Sequence, residues 1–164
     1  DGAFSRGVKR ADDAGQMIAL GREMLSRSDL ILSQEYMRTD YDWRIGFLNN
    51  KPIYACQYFM ARGHWQIYNH SDSAQQKSGG FTTLPINQVP KDIIKTASKA
   101  VKLIGDGLYG VDMKQLGNRH VIIEINDNPS IDSGVEDAWL GDELYRMIMA
   151  EFLRRMERIH NTYR

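Results

Sequence analysis

The stretch that most constrains this 164-residue chain is LYGVDMKQLGNRHVIIEINDNPSID, from Leu108 to Asp132. Alternating apolar and polar residues flank a Gly117-Asn118 turn, the pattern of two short antiparallel strands. Side chains alternate faces along a strand, so Glu124 and Asn126 project to one side of the second strand, and Ile123 and Ile125 to the other. Asp112 stands about as far before the turn as Glu124 stands after it. Antiparallel pairing therefore brings an aspartate, a glutamate and an asparagine onto one face. That face is either the polar outside of a half-buried hairpin, the common state of antiparallel sheets, or a seat for a hard cation such as magnesium. Val121, Ile123 and Ile125 form the expected buried set, and Asn126-Asp127-Asn128-Pro129 follows at once, which favours the cation. Spacing alone leaves both readings open.

A chain of this length makes one domain or two small subdomains with a real core. Lys+Arg and Asp+Glu each total 21, so no basic field invites nucleic acid and no acidic tail is present. No apolar run reaches a membrane span, and no charged-then-apolar leader opens the chain, so no membrane partner is expected. The single Cys56 lies in the apolar run Ile53-Tyr54-Ala55-Cys56 and reads as a small core residue in a reducing, cytoplasmic setting. The start at Asp1-Gly2-Ala3, without an initiator methionine, leads to the expectation of a fragment of something longer.

Residues 1–13, DGAFSRGVKRADD, combine glycines with Arg6 and Lys9, a composition that can hold an anion on backbone amides, although on composition alone a solvated terminal loop is the favoured reading. Asp12 or Asp13 can cap a helix to about Ser26, with Met17, Leu20, Met24 and Leu25 as its core side. Leu30 to Met37 reads as a buried strand, and Tyr41–Leu48 and Ile53–Met60 as further strands about an Asn49-Asn50-Lys51-Pro52 turn, an antiparallel meander. Residues 61–80 read as a surface loop of lid length, where Arg62 and Lys77 are candidates for closing over an anion. His64 and His70 lack the partners of a zinc site. Pro85 and Pro90 punctuate a connector. Helices are expected at 91–104, with Ile94, Ala97, Val101 and Ile104 on one face, and at about 140–159, with Leu144, Ile148, Phe152, Met156 and Ile159 as an apolar stripe. Arg154, Arg155 and Arg158 near the end of the last helix suit its dipole and read as a solvated face.

Taken in order, Ser5-Arg6-Gly7-Val8, Gln34-Glu35-Tyr36, Asp42-Trp43-Arg44, Gly110-Val111-Asp112 and Glu124-Ile125-Asn126 with Asn128-Pro129 resemble an ATP-grasp ligase, of the RimK-type and glutathione-synthetase-like carboxylate–amine group. The resemblance covers nearly the whole chain, about the second half of that fold. It implies an α+β fold, the ATP-grasp carboxy-terminal portion, with an antiparallel sheet backed by helices. Residues 1–60 would supply the glycine loop, helix and nucleotide-binding strands, and residues 61–164 the lid loop, metal-binding hairpin and last helix.

The resemblance also implies roles. Asp112, Glu124 and Asn126 match the magnesium ligands, with manganese as an alternative ion. Gln34, Glu35 and Tyr36 match the strand end that receives adenine, and Asp42 a nucleotide-contacting acid. Ser5, Arg6 and Gly7 match the loop that covers the ATP phosphates. Arg44 is placed to steady phosphate or acyl-phosphate charge, and Arg62 to supply charge where the family carries an Arg-Ser-Asn contact and this chain has Trp65-Gln66-Ile67-Tyr68. The implied activity joins an amino-acid or peptide carboxylate to an amine at the expense of ATP, with a homo-oligomer left open. The family's nucleotide lysines lie before the glycine loop, where this chain has no residues, so an amino-terminal region is expected to complete the ATP site. The alternative is a non-catalytic nucleotide-binding or protein-interaction module of the same fold.

Overall fold

The computed structural model describes residues 7–69 and 78–162. Ser5, Arg6, His70 and Lys77 lie outside the described residues. In chain order the elements are α1 (Ala14–Leu25), β1 (Tyr41–Leu48), β2 (Lys51–Phe59), β3 (Phe81–Leu84), a 3-10 turn at Ile86–Gln88, α2 (Lys91–Ile104), β4 (Leu108–Leu116), β5 (Arg119–Asn126) and α3 (Asp142–Thr162). The strands form one sheet in the order β3-β2-β1-β4-β5, every neighbour antiparallel.

Local chemistry sets these boundaries. Asn49 and Asn50 take φ of 50° and 60° at the β1–β2 turn, a left-handed pair that asparagine tolerates. Gly117, at φ 56°, turns β4 into β5. The Asp13 carboxylate accepts from the Gln16 amide at 2.8 Å and caps α1. β3 was not expected from the sequence. It is a four-residue edge strand that pairs with β2 from Ala55↔Leu84 to Tyr58↔Phe81, just ahead of Pro85.

The sheet is covered on both faces. Odd-numbered side chains of the central strands, among them Trp43, Ile45, Phe47, Val111 and Met113, pack with Ile93, Ala97 and Val101 of α2. The opposite face carries Leu48, Tyr54 and Cys56 and packs with Leu144 and Ile148 of α3 and with Ile131 and Leu140. Burying these side chains removes about 1.5–3 kcal/mol of exposure cost each, and this holds the strands that carry the site.

Several expectations of burial need correction. Leu30 to Met37 forms no strand: Leu30 and Leu32 are 85% and 82% exposed, and only Met37 is buried. An apolar run signals a strand only where a neighbour offers both a ladder and cover, and no described strand does so here. α1 likewise forms where expected but buries none of its residues. On α2 Ala97 and Val101 are buried as expected, but the third buried residue is Ile93 in place of Ile94, and Ile104 is exposed. On α3 only Leu144 and Ile148 are buried, and Phe152, Met156 and Ile159 of the expected stripe are exposed.

The hairpin also carries a bulge that strict alternation does not predict. From Leu116↔Arg119 to Met113↔Ile122 the pairing follows a strict two-residue turn, and then it slips so that Asp112 faces Glu124. The slip moves the apolar alternation by one residue, and Ile122 and Ile125, rather than Val121 and Ile123, pack on the main core.

Candidate active site

Five residues stand in a row across the whole sheet. Thr83 faces Cys56, Cys56 faces Arg44, Arg44 faces Asp112, and Asp112 faces Glu124. Gly110 faces Asn126 one pleat further on, so Asp112, Glu124 and Asn126 share a face. The β5 bulge is what puts them there, since an unbroken ladder would set Ile123 opposite Asp112. The side-chain amide of Gln34 donates to the carbonyl of Ile123, the bulged residue, at 3.1 Å.

Arg44 grips Asp112 with two parallel bonds, Nε to Oδ1 at 2.8 Å and Nη2 to Oδ2 at 2.7 Å. This bidentate geometry is the strong form of the pair. Behind it, Nη1 lies 4.0 Å from Oε1 of Glu136, and the guanidinium sits over the Tyr58 ring at 5.4 Å. Glu136 is 1% exposed; it accepts from the Tyr58 hydroxyl and, at 2.8 Å, from the Asp132 amide. Burial opposes the charge on Arg44, but Asp112 outweighs it and holds the arginine above its ordinary range.

Glu124 is the electrostatic counterpart. Partial burial, then the charge and hydrogen bonding of Asp112, push its carboxyl above the ordinary value, and Arg44 only partly counters them. Two carboxylates thus stand side by side with one guanidinium engaged by the first. Asn126 Oδ1 accepts from the Asn128 amide at 2.9 Å, which fixes its carboxamide at the start of the Asn128-Pro129 turn. Among the described residues no three His, Cys, Asp or Glu side chains gather at a metal-ligand spacing, so the candidate set remains two acids and an amide.

Other predicted residues fall in two groups. Asp42 lies on the same face as Arg44, where its carboxylate takes Lys114 Nζ at 2.6 Å and Thr39 Oγ1 at 2.9 Å. Glu35 pairs with Arg119 at 3.0 Å in an exposed bridge that lowers the glutamate pKa. Tyr36 meets Trp65 edge-on at 5.9 Å, and the Arg10 guanidinium lies 5.2 Å from the Tyr36 ring and 5.9 Å from Trp65. Gly7 and Arg62 are exposed, and no interaction of either with the row is seen. Cys56 is buried, 3.3 Å from Thr83 Oγ1, with its thiol pushed up to about 11 by burial, the state of a core residue and not of a nucleophile.

Sequence reasoning missed Lys114, Tyr58 and Glu136. Lys114 was legible, standing two residues after Asp112 on the same strand face. Tyr58 needed the β1–β2 register, and Glu136 lies in an irregular segment that no periodicity reports.

No family model matches the chain. A probable alpha-L-glutamate ligase of Saccharophagus degradans is 27% identical over 164 residues, covering 99% of this chain and 50% of that protein. The chain thus spans about half the length of that relative. Among solved structures, D-alanine–D-alanine ligase from Bacillus anthracis, complexed with ATP, superposes with a TM-score of 0.63 at 14% identity, over 92% of this chain and 51% of that one. The ATP-grasp ligase PsnB, complexed with a variant precursor, Mg and ADP, gives 0.51 at 16% identity over 70% and 34%. No helix among the described residues is long and apolar enough to cross a membrane.

Proposed function

We propose that this chain, which carries the carboxy-terminal portion of the ATP-grasp fold, is part of an ATP-dependent carboxylate–amine ligase. The observation that carries the reading is the alignment of Arg44, Asp112 and Glu124 on three adjacent strands, with Asn126 beside them. Shared fold alone would fix little, since sites define chemistry and folds host many.

The donors fit a divalent cation of the magnesium class. They are hard oxygens, and partial burial together with the neighbouring Asp112 carboxylate raises the Glu124 pKa, a charge crowding that a cation would relieve. Asp112, Glu124 and Asn126 would hold the ion, which when bound offsets charge on the phosphates of the nucleotide. Arg44, oriented by Asp112, would stabilise charge on the transferred phosphoryl group, an electrostatic and not a nucleophilic part. A substrate carboxylate would attack the γ-phosphorus of ATP to give an acyl phosphate and ADP, and an amine would then displace phosphate to form the amide. Gln34, Glu35 and Tyr36 would border the adenine, with Asp42 beside the nucleotide. Ser5, Arg6 and Gly7 would cover the phosphates, and Arg62 would add charge from the lid.

The region that makes up the other half of the relative would complete the ATP site. Leu30, Leu32, Ile18 and Leu25, each more than half exposed, are the surfaces we assign to it. The relative's name makes L-glutamate the carboxylate or amine to try first. ADP release by the full-length protein, with magnesium-ATP, L-glutamate and a glutamate-terminated peptide, tests the reading. Asp112→Ala and Glu124→Ala should each abolish release, and unchanged turnover in both would remove the proposed site.

A further inference from the structure

We infer that Glu136 is a positioning residue, which holds the Arg44 guanidinium in register with Asp112 through a buried arrangement shared with Tyr58. The inference rests on the ligase reading for its kinetic consequence but on geometry for its existence. Glu136 comes from the irregular segment after β5, far from any pattern that would mark it, yet its side chain is fully buried. A buried carboxylate is retained only where its oxygens find donors and its charge finds a counter-charge. Here Oε1 takes the Tyr58 hydroxyl and lies 4.0 Å from Arg44 Nη1, and Oε2 takes the Asp132 amide.

The segment that carries Glu136 is itself tied down. The Thr83 hydroxyl on β3 donates to the Val135 carbonyl at 2.6 Å, and Asp137 Oδ1 accepts from the Gly134 amide at 2.6 Å while its Oδ2 accepts from the Tyr145 hydroxyl at 3.0 Å. Arg44 is therefore held from three sides: Asp112 in front, Glu136 at the rear amino group, and the Tyr58 ring below. A long, flexible side chain fixed in this way presents its charge at one place, and fixing a reacting group's partner within a fraction of an ångström is worth large rate factors. Glu136 touches neither Glu124 nor Asn126 among the contacts seen, so its influence runs through Arg44.

Two measurements on the full-length protein separate this inference from the ligase reading. The first is hydrogen exchange at the Arg44 Nε–H, followed by magnetic resonance with isotope-labelled arginine. Glu136→Gln is expected to speed it about tenfold and Tyr58→Phe about threefold, with backbone amides of β1 and β4 unchanged. The second is ADP release with magnesium-ATP, L-glutamate and a glutamate-terminated peptide. Glu136→Gln is expected to lower kcat about 10²-fold while KM for ATP stays within about twofold, with Glu136→Asp recovering part of the loss. Faster Arg44 exchange together with a wild-type protein that releases no ADP would sink the ligase reading and leave the positioning role standing. Unaltered Arg44 exchange in both variants would overturn the positioning role even in an active enzyme. A parallel speeding of exchange throughout β1 would mean that Glu136 merely supports the fold, and would overturn it too.

Discussion

Arg44 and Asp112 face each other across β1 and β4 and are joined by two bonds, 2.8 and 2.7 Å long, with each side chain about one-fifth exposed, 22% and 20%. The pair links the two longest-range parts of the site: a strand from the first hairpin and a strand from the second. Removing one member leaves the other charged and largely desolvated, which gives the pair a structural role beside the one proposed for it.

Asp112→Asn is therefore expected to lower unfolding free energy by about 2 kcal/mol, below the full cost of breaking a wholly buried pair because water still reaches both groups and Glu124 loses a like-charged neighbour. Urea unfolding measures it. A loss under about 0.5 kcal/mol would mean the arginine finds another anion, and Glu136 is the nearest.

Gly46 permits the closest packing near the site. A Cβ there would lie 2.1 Å from Cε1 and 2.4 Å from Cδ1 and Cζ of Tyr54, a residue that is itself only 2% exposed. Gly46→Ala should cost about 2–3 kcal/mol by overpacking. The urea midpoint should fall with the slope unchanged, and a neutral result would show that Tyr54 has room the packing does not reveal.

The sequence exposed these relationships unevenly. The turn at Gly117-Asn118 and the alternation around it were legible because a strand's two faces obey a fixed period. The meeting of Asp112 and Glu124 was also anticipated, but for an incomplete reason. A strict two-residue hairpin pairs Asp112 with Ile123, and the bulge that corrects this leaves no mark that composition can show. Leu30 to Met37 misled because an apolar run reports only what a segment could bury, and cover must come from elsewhere in the molecule. Glu136 was invisible for the opposite reason. Its burial depends on Tyr58 and Arg44, 78 and 92 residues earlier, and local patterning carries no information about such partners.

Midway along α3, Glu151 takes Arg154 through two bonds of 2.9 and 2.7 Å and Arg155 at 2.8 Å, and Arg155 continues to Asp106 at 3.3 Å. The hydrogen bonds from Arg154 and then Arg155 bring the Glu151 pKa down to about 2 from an ordinary 4.5. A depressed carboxyl contributes stability that is fully present above its unfolded value and is lost as pH falls through the folded one. The stability difference between wild type and Glu151→Gln should therefore be constant above about pH 5 and close between about pH 4.5 and 2, more weakly in high salt. Urea midpoints across that range measure it, and a difference that widens on acidification would contradict the assignment.

Glu124, proposed above as a ligand of the ion, has the reverse sign. Its folded pKa is raised, so its contribution is fully present below the ordinary 4.5 and is lost as pH rises through the folded value. At neutral pH Glu124→Gln relieves a like-charge contact, and because solvent screens much of that contact, stability should hold or rise by no more than about 0.5 kcal/mol. The same substitution should weaken the response to magnesium. A ligand that binds only the folded state raises its stability by RT ln(1 + [L]/Kd), about 1.4 kcal/mol at tenfold over Kd. Wild-type melting temperature should therefore climb with magnesium chloride at fixed ionic strength, and Glu124→Gln should lose most of that increment while starting from an equal or higher baseline. Calorimetric melts of both proteins, with calcium and sodium as comparison salts, measure the two effects together. An equal magnesium increment in wild type and variant would take the ion away from Glu124. A variant that melts well below wild type without magnesium would make Glu124 a stabilising residue, contrary to the charge balance of the row.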